Sequence, residues 1–492
     1  MNKIRWLKIN EFKGGLLGIV LLFFLITITL YTLIFIPASE RSEWNNPSFW
    51  IDYPKNAEPV WVNYFLTFFN QQLPEHVVLP KEGAIESRYA EGPDYKIQNY
   101  TFEYNMKYDE FPSAFSIPYS IQLGQIPPVI EVSVQRPDGN ELVLYYNSLD
   151  SAPLSGSNFS NQNSSSSQSS NEDSIIDNST PSGLREMTSN IVSQRLFSTS
   201  SDIIQSLSDY SNLFNFSISG LPAEKVIFSS QNNNVPLKGT YKFVISIYSF
   251  DSDTTAQDIK VVVEGKTFGM LGTDDLRRDI SFGVMIGTPV ALLIGITVAV
   301  SSTMIGLFYG LIAGYKGRRL GTAMVIIIDI FLSIPTMVIF IILSLNFGKS
   351  LIFLIGLFVL FGWPGLALIN RTFSIQIKNY PYVEASKLMG ESDIRIVFRH
   401  IVPQLIPFTL ANFALSVPAA ILGESALSFL GFGDPSFPTW GQMLQDAHFS
   451  SAEILGYWWW IIPPGLMISI TSIAFILIGR FLENRAKVSK RR

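Results

Sequence analysis

Apolar residues crowd the two ends of this chain and polar residues fill its middle, so two solvents are implied. From Gly14 to Ile36 the chain carries no charge and is about as long as a helix needs to cross a ~30 Å hydrocarbon layer. Apolar stretches return late, and they predict further spans at about 282–314, 321–346, 350–370, 404–430 and 457–481. Six spans are expected. Lys3, Arg5, Lys8 and Lys13 precede the first and Glu40, Arg41 and Glu43 follow it, which puts the N-terminus in the cytoplasm. An even count returns the C-terminus there, where Arg480, Arg485 and the basic run from Lys487 to Arg492 lie. Lys316, Arg318 and Arg319 after the second span agree, and Trp458, Trp459 and Trp460 fall at the outer end of the last one. Pro37-Ala38-Ser39 imitates a signal-peptide cleavage site, but the apolar core is long for such a peptide, and an uncleaved anchor is the reading adopted.

Between residues 38 and about 270 no stretch is long and apolar enough to span, so this segment forms one large extracytoplasmic loop. Period-two alternation in Val129 to Val134, Leu142 to Tyr146, Tyr241 to Tyr248 and Ile259 to Val263 predicts strands. Pro137-Asp138-Gly139-Asn140 joins the first two as a hairpin. The run from Gly239 to Ile245 looks like a strand of an immunoglobulin-like or fibronectin-like sandwich. Residues 151–182, rich in Ser and Asn, read as a flexible linker. Ile191, Val192 and Leu196, with Ile203, Ile204 and Leu207, have helical spacing and predict a helical patch. Asn-x-Ser/Thr glycan acceptors stand at Asn99, Asn158, Asn163, Asn178 and Asn215, all in this loop. The expected fold is an all-α polytopic membrane protein of six transmembrane helices, with a large β-rich extracytoplasmic domain inserted between helices 1 and 2. Its divisions are 1–37, 38–270 and 271–492.

Composition removes several chemistries. The chain has no cysteine, and His76, His400 and His448 are far apart in sequence, so neither disulfides nor a metal site is expected. Gly265-Lys266-Thr267 imitates the end of a phosphate loop, but Lys260 stands where the first glycine is required. No catalytic residue is assigned, and ATP is not expected to bind here. The net charge of −5 and the short basic tail give no nucleic-acid arm. Gly306, Gly310 and Gly314 make a smooth ridge for close helix packing, and Pro289, Pro335, Pro364, Pro418 and Pro463-Pro464 predict kinks. Asp329 and Glu424 are carboxylates at or near membrane depth, suited to hydrogen bonding within the bundle or to contact with substrate.

The loop from Arg371 to Val402 is patterned rather than passive. Pro381 fits a first helical turn, Ala385, Leu388 and Met389 share a face, and Gly390 permits a stop. Ser392 or Asp393 can cap a second short helix, with Ile394, Val397, Phe398 and Ile401 at helical spacing until Pro403. Glu384-Ala385-Ser386, then Gly390, then Ile401-Val402-Pro403 resembles the EAA loop of binding-protein-dependent ABC importers, with Ser386 for the second Ala and Val402 for Leu. Gly272 to Asp279 is similar to the Gly-Thr-Asp-x-Leu-Gly-Arg-Asp signature of dipeptide, oligopeptide and nickel permeases, with Arg277 for the usual Gly. Ala313-Gly314-Tyr315, Asp329 with Pro335, Gly362 to Gly365, Gly423 to Gly433 and Pro438 to Gly441 look like the same subfamily.

The resemblance covers a little under half of the chain, from about Phe268. It implies that Glu384, Ala385, Ser386, Gly390, Ile401 and Pro403 belong to a coupling helix and its flank, which dock on a separate ATPase. It implies a second homologous permease chain, two ATPase subunits carrying ATP and Mg, and an extracytoplasmic solute-binding protein. Peptides are the leading substrate class, with oligosaccharides or nickel complexes as alternatives. A membrane-anchored sensor or adhesion protein and an ion-coupled transporter are the rivals, and neither has a use for this loop. The large insertion is atypical of the family.

Overall fold

The computed structural model describes residues 2–69, 71–91, 95–148, 175–176, 185–188, 191–251 and 253–489. The chain divides into two units, one of residues 1–49 with 278–492 and one of residues 50–277. The first unit opens with α1 (Asn2–Phe35) and a short α2 (Ala38–Ser42).

The second unit holds the small helices α3 (Val62–Leu66), α4 (Ser201–Ser208) and α5 (Ala223–Phe228) around two antiparallel sheets. Its strands are β1 (Val77–Pro80), β2 (Ile85–Glu91), β3 (Lys96–Met106), β4 (Ala114–Gln122), β5 (Val129–Gln135), β6 (Glu141–Ser148), β7 (Ile175–Ile176), β8 (Arg185–Thr188), β9 (Ile191–Phe197), β10 (Gly239–Ser249) and β11 (Thr255–Glu264). One sheet runs β1-β11-β4-β9-β8-β7 and the other β2-β3-β10-β5-β6. Alternate residues from both meet in a single core, with Phe102 and Tyr104 of β3, Phe115 and Ile117 of β4, Val132 of β5, Phe243 and Ile245 of β10 and Val261 of β11 all buried. Each such side chain stabilises the fold by about 1.5–3 kcal/mol relative to exposure. This is a two-sheet sandwich, and the four alternating runs are strands β5, β6, β10 and β11.

The expected hairpin joins β5 to β6. Arg136 N donates to Asn140 O at 2.8 Å, and Gly139 sits at φ 85°, where a Cβ is unfavourable. One expectation fails: Ile191, Val192 and Leu196 are not helical but belong to β9, paired with β4 from Ile191–Gln122 to Phe197–Ser116. Apolar residues one and five apart satisfy either period in so short a window, and pairing with β4 decides it. Ile203 and Leu207 are buried on α4, as their spacing predicted. Asn99 is a strand residue of β3, and Asn158, Asn163, Asn178 and most of the 151–182 linker lie outside the described residues.

The first unit resumes with α6 (Ile280–Lys316), α7 (Arg318–Ser333), α8 (Thr336–Phe347), α9 (Leu351–Lys378), α10 (Pro381–Leu388), α11 (Asp393–Ile396), α12 (Val402–Phe429), α13 (Trp440–Phe449), α14 (Ala452–Leu455) and α15 (Trp458–Ser489). Among the described residues five helical runs are long and apolar enough to cross a membrane, or up to six if the bent pair α7 and α8 is one span. That pair replaces the single helix expected at 321–346. Pro335 has no N–H to donate and forces Ile334 into an extended conformation (φ −79°, ψ 127°), so the axes diverge by 73°.

The glycine ridge of α6 lies against α9. A Cβ at Gly306 would sit 2.7 Å from Leu366 Cβ, one at Gly314 would sit 2.7 Å from Arg371 O, and one at Gly310 would collide with the Ala367 carbonyl. Backbone-to-backbone approach on this scale requires the missing side chains.

Candidate functional site

The patterned loop begins where α9 ends. Tyr380 is extended (φ −75°, ψ 140°), as a residue before proline prefers, and Pro381 opens α10 without wasting a donor. After Leu388 the helix closes in a Schellman turn: Glu391 N donates to Ser386 O at 3.1 Å and Gly390 N to Lys387 O at 3.1 Å, with Gly390 at φ 86°. The next segment departs from expectation. Pro403 does not end a second short helix, because it lies in the first turn of α12 where its missing N–H costs nothing. α11, a five-residue π-helical turn over Val397–Ile401 and α12 instead run on as one span candidate, Asp393–Phe429.

The loop has a buried underside and an exposed top. Val383, Ile396 and Ile401 pack with Leu307, Leu311 and Tyr315 of α6, Ile377 of α9 and Leu405 of α12. Ser386 is also buried, and its Oγ donates to Tyr382 O at 3.0 Å. Glu384, Ala385, Gly390 and Pro403 are exposed. Six candidate residues therefore divide: Ser386 and Ile401 hold the loop to the bundle, and the other four face outward. The apolar face recognised on α10 is the outward one, with Leu388 84% and Met389 81% exposed; Ile394 at 74% and Phe398 at 57% extend it.

Polar ties set the loop's position. Tyr315 Oη donates to Asp393 Oδ1 at 2.7 Å, and Lys378 Nζ donates to Tyr315 O at 2.6 Å while lying 5.3 Å from its ring. The C-terminus of α6 is thus fastened to the end of α9 and to the start of α11. His400 Nε2 stands 3.1 Å from Glu391 Oε2 and 3.4 Å from Ser386 Oγ, bordering a cleft of about 420 Å³ that Met389, Gly390 and Arg399 also line. Sequence reasoning missed the His400–Glu391 pair and the centrality of Tyr315. The only signals were Tyr315 inside a recognised motif and Asp393 as a capping candidate.

Asp329 and Glu424 lie on different helices, and no hydrogen bond joins them. Asp329 is exposed on α7. Glu424 is 2% exposed on α12, with Ser428 Oγ donating to its Oε1 at 2.6 Å and Ser425 Oγ at 3.4 Å from its Oε2. Among the described residues no group of three His, Asp or Glu side chains is arranged to hold a metal ion.

Thr273, Asp274, Arg277, Arg278 and Asp279 of the Gly272–Asp279 signature each have a bonded partner. In the 50–277 unit, Thr273 Oγ1 donates to Pro54 O at 2.7 Å and accepts from Ala57 N at 2.9 Å, and Asp274 Oδ1 accepts from Leu276 N at 2.9 Å. Arg277 occupies φ 69°, the conformation that suits the glycine usual in this motif. It stays because its Nη1 reaches Glu264 Oε1 at 2.7 Å and Tyr53 O at 2.6 Å. Burial pushes the Glu264 carboxyl up, and Arg277 pulls against that. In the other unit, Arg278 pairs with Asp446 at 2.7 Å and lies 4.6 Å from the Trp44 ring, and Asp279 caps α6 by accepting from Ser281 N at 2.7 Å.

Residues 306–488 match the family described as binding-protein-dependent transport system inner membrane component. A dipeptide transport system permease protein of Bacillus subtilis is 36% identical over 222 residues, 45% of this chain and 69% of the relative. An oligopeptide transport system permease protein of the same organism is 35% identical over 214 residues, 43% and 69% respectively. An oligopeptide transport system permease protein of Haemophilus influenzae is 33% identical over 235 residues, 48% and 74%.

Proposed function

The chain belongs to the family of binding-protein-dependent transport system inner membrane components, and from that premise we propose that its loop Pro381–Ile401 is the surface on which a separate ATPase subunit docks. The chain is a multi-pass membrane permease subunit of a binding-protein-dependent importer for di- and oligopeptides, and not an enzyme. The observation that carries the docking assignment is the exposure of Leu388, Met389, Ile394 and Phe398 on a loop whose underside is buried on the bundle. Large apolar side chains grouped on a surface mark an interaction site. Glu384, exposed and without an ion-pair partner among the described residues, offers its carboxylate to a basic group of the ATPase.

In this reading α7 and α8 count as one broken span, giving six, and both termini are cytoplasmic with the loop. The 50–277 unit is extracytoplasmic, beside the solute-binding protein that delivers peptide. A second homologous permease chain completes the pathway, and two ATPases bind ATP and Mg. Their closure moves the loop, and the Tyr315–Asp393 and Lys378–Tyr315 bonds pass that motion to α6 and α9. Glu424, held by Ser428 inside α12, is a strut of the bundle; Asp329, exposed on α7, is left for the partner permease chain or the translocation path.

The test replaces Leu388 and Met389 together by Asp, and separately Glu384 by Lys, in the whole transporter. Because all three side chains are exposed, membrane insertion is expected to be intact while ATPase co-purification and peptide uptake are lost. Normal co-purification and uptake in both variants would remove the docking assignment.

A further inference from the structure

The 50–277 unit carries a surface feature that the transport reading does not use. From Pro59 to Pro74 the sequence contains no charged residue but Trp61, Tyr64, Phe65, Phe68 and Phe69. A soluble domain buries such side chains. Here Tyr64 is 74%, Phe65 60%, Phe68 85% and Phe69 77% exposed, and Met270 beside them is 70% exposed.

The protrusion is built, not frayed. Asn63 clips its two sides together, Nδ2 donating to Leu73 O at 3.1 Å and Oδ1 accepting from Leu73 N at 3.0 Å. Its base is tied to the segment that leads into α6: Trp61 Nε1 donates to Met270 O at 2.9 Å, and Val60 N donates to Gly269 O at 3.0 Å. Farther along the same strip Asn56 N donates to Asp274 O at 3.0 Å, and Arg277, held to Tyr53 O, is three residues from Ile280 where α6 starts.

We propose that this aromatic tip is an interfacial anchor that inserts into the headgroup and carbonyl zone of the bilayer spanned by α1 and α6. Three observations select lipid over a protein partner. The side chains are the Trp, Tyr and Phe types that settle at membrane interfaces, set among Asn, Gln and Thr rather than ions. The stretch has no charge with which a protein rim would fix register. Its base is hydrogen-bonded to Met270, ten residues before α6 starts, so chain length keeps it within reach of the bilayer that α6 enters. The stretch is too short and too polar to span, which leaves insertion at the surface.

The chain's lack of cysteine makes the test direct. Single variants Phe68→Cys and Phe69→Cys of the full chain, spin-labelled and reconstituted in phosphatidylethanolamine/phosphatidylglycerol vesicles, are compared with Lys242→Cys, whose half-exposed side chain lies on β10. Collision with dissolved oxygen is expected to rise, and collision with a water-soluble nickel chelate to fall several-fold, relative to the Lys242 control. Nickel accessibility equal to that control would overturn the proposal. Shielding from both reagents would also overturn it, because the tip would then be covered by protein.

Discussion

Replacing Arg277 by Gly restores the residue usual in the motif, yet the structure predicts that it weakens the domain. Two terms oppose each other. Relief of a left-handed backbone conformation favours the variant by about 1–2 kcal/mol, of which the greater unfolded freedom of glycine takes back about 0.5–1. Against this, Glu264, 3% exposed, loses its guanidinium partner, and breaking a buried pair costs about 3–5 kcal/mol. The net is a loss of about 3 kcal/mol, roughly a hundredfold faster hydrogen exchange for amides that open with β11. The full chain in detergent is the sample, and the readout is exchange over Thr255–Glu264. The variant also acquires a pH signature. A carboxyl whose folded pKa is raised above its ordinary 4.5 contributes stability present below that value and lost as pH rises through the folded pKa. Without Arg277 the Glu264 carboxyl is pushed higher still, so protection in the variant recovers as pH falls from 7 toward 5. Glu264→Gln in the same chain should remove most of the Arg277→Gly penalty. Exchange in Arg277→Gly equal to or slower than in the parent at pH 7 would mean that the Arg277–Glu264 pair does not outweigh the backbone strain at Arg277.

Gly310→Leu drives a side chain into the Ala367 carbonyl and costs about 1–3 kcal/mol or more of bundle packing, whereas Gly356→Leu, facing open space, is tolerated; monodisperse yield from the membrane separates them. His76, held to about 4 by burial against an ordinary 6.5, contributes stability present above pH 6.5 and lost as pH falls toward 4, up to about 3 kcal/mol. Exchange protection of β1 and β11 should decline across that window and do so less in His76→Gln.

Hydropathy marked five of the six expected spans, missing the end of α9 by eight residues and the start of the run Asp393–Phe429 by eleven, and Gly390 marked the turn that closes α10, because apolar run length and turn conformation are local properties. The loop Pro381–Ile401 was therefore legible as a motif. Which of its residues face inward was not. Ala385, Leu388 and Met389 form the exposed face because Val383 on the other side packs with Leu307, Leu311 and Tyr315 of α6, some seventy residues earlier in the chain. The same limit hid the bonding of Tyr315 to Asp393, the strand at Ile191–Phe197 and the pairing of Arg277 with Glu264. Periodicity gives the sequence a face and a length, but burial depends on the surface that arrives opposite. For the aromatic side chains at 64–69 the described residues supply no such surface, and only the tertiary structure revealed that they stay exposed.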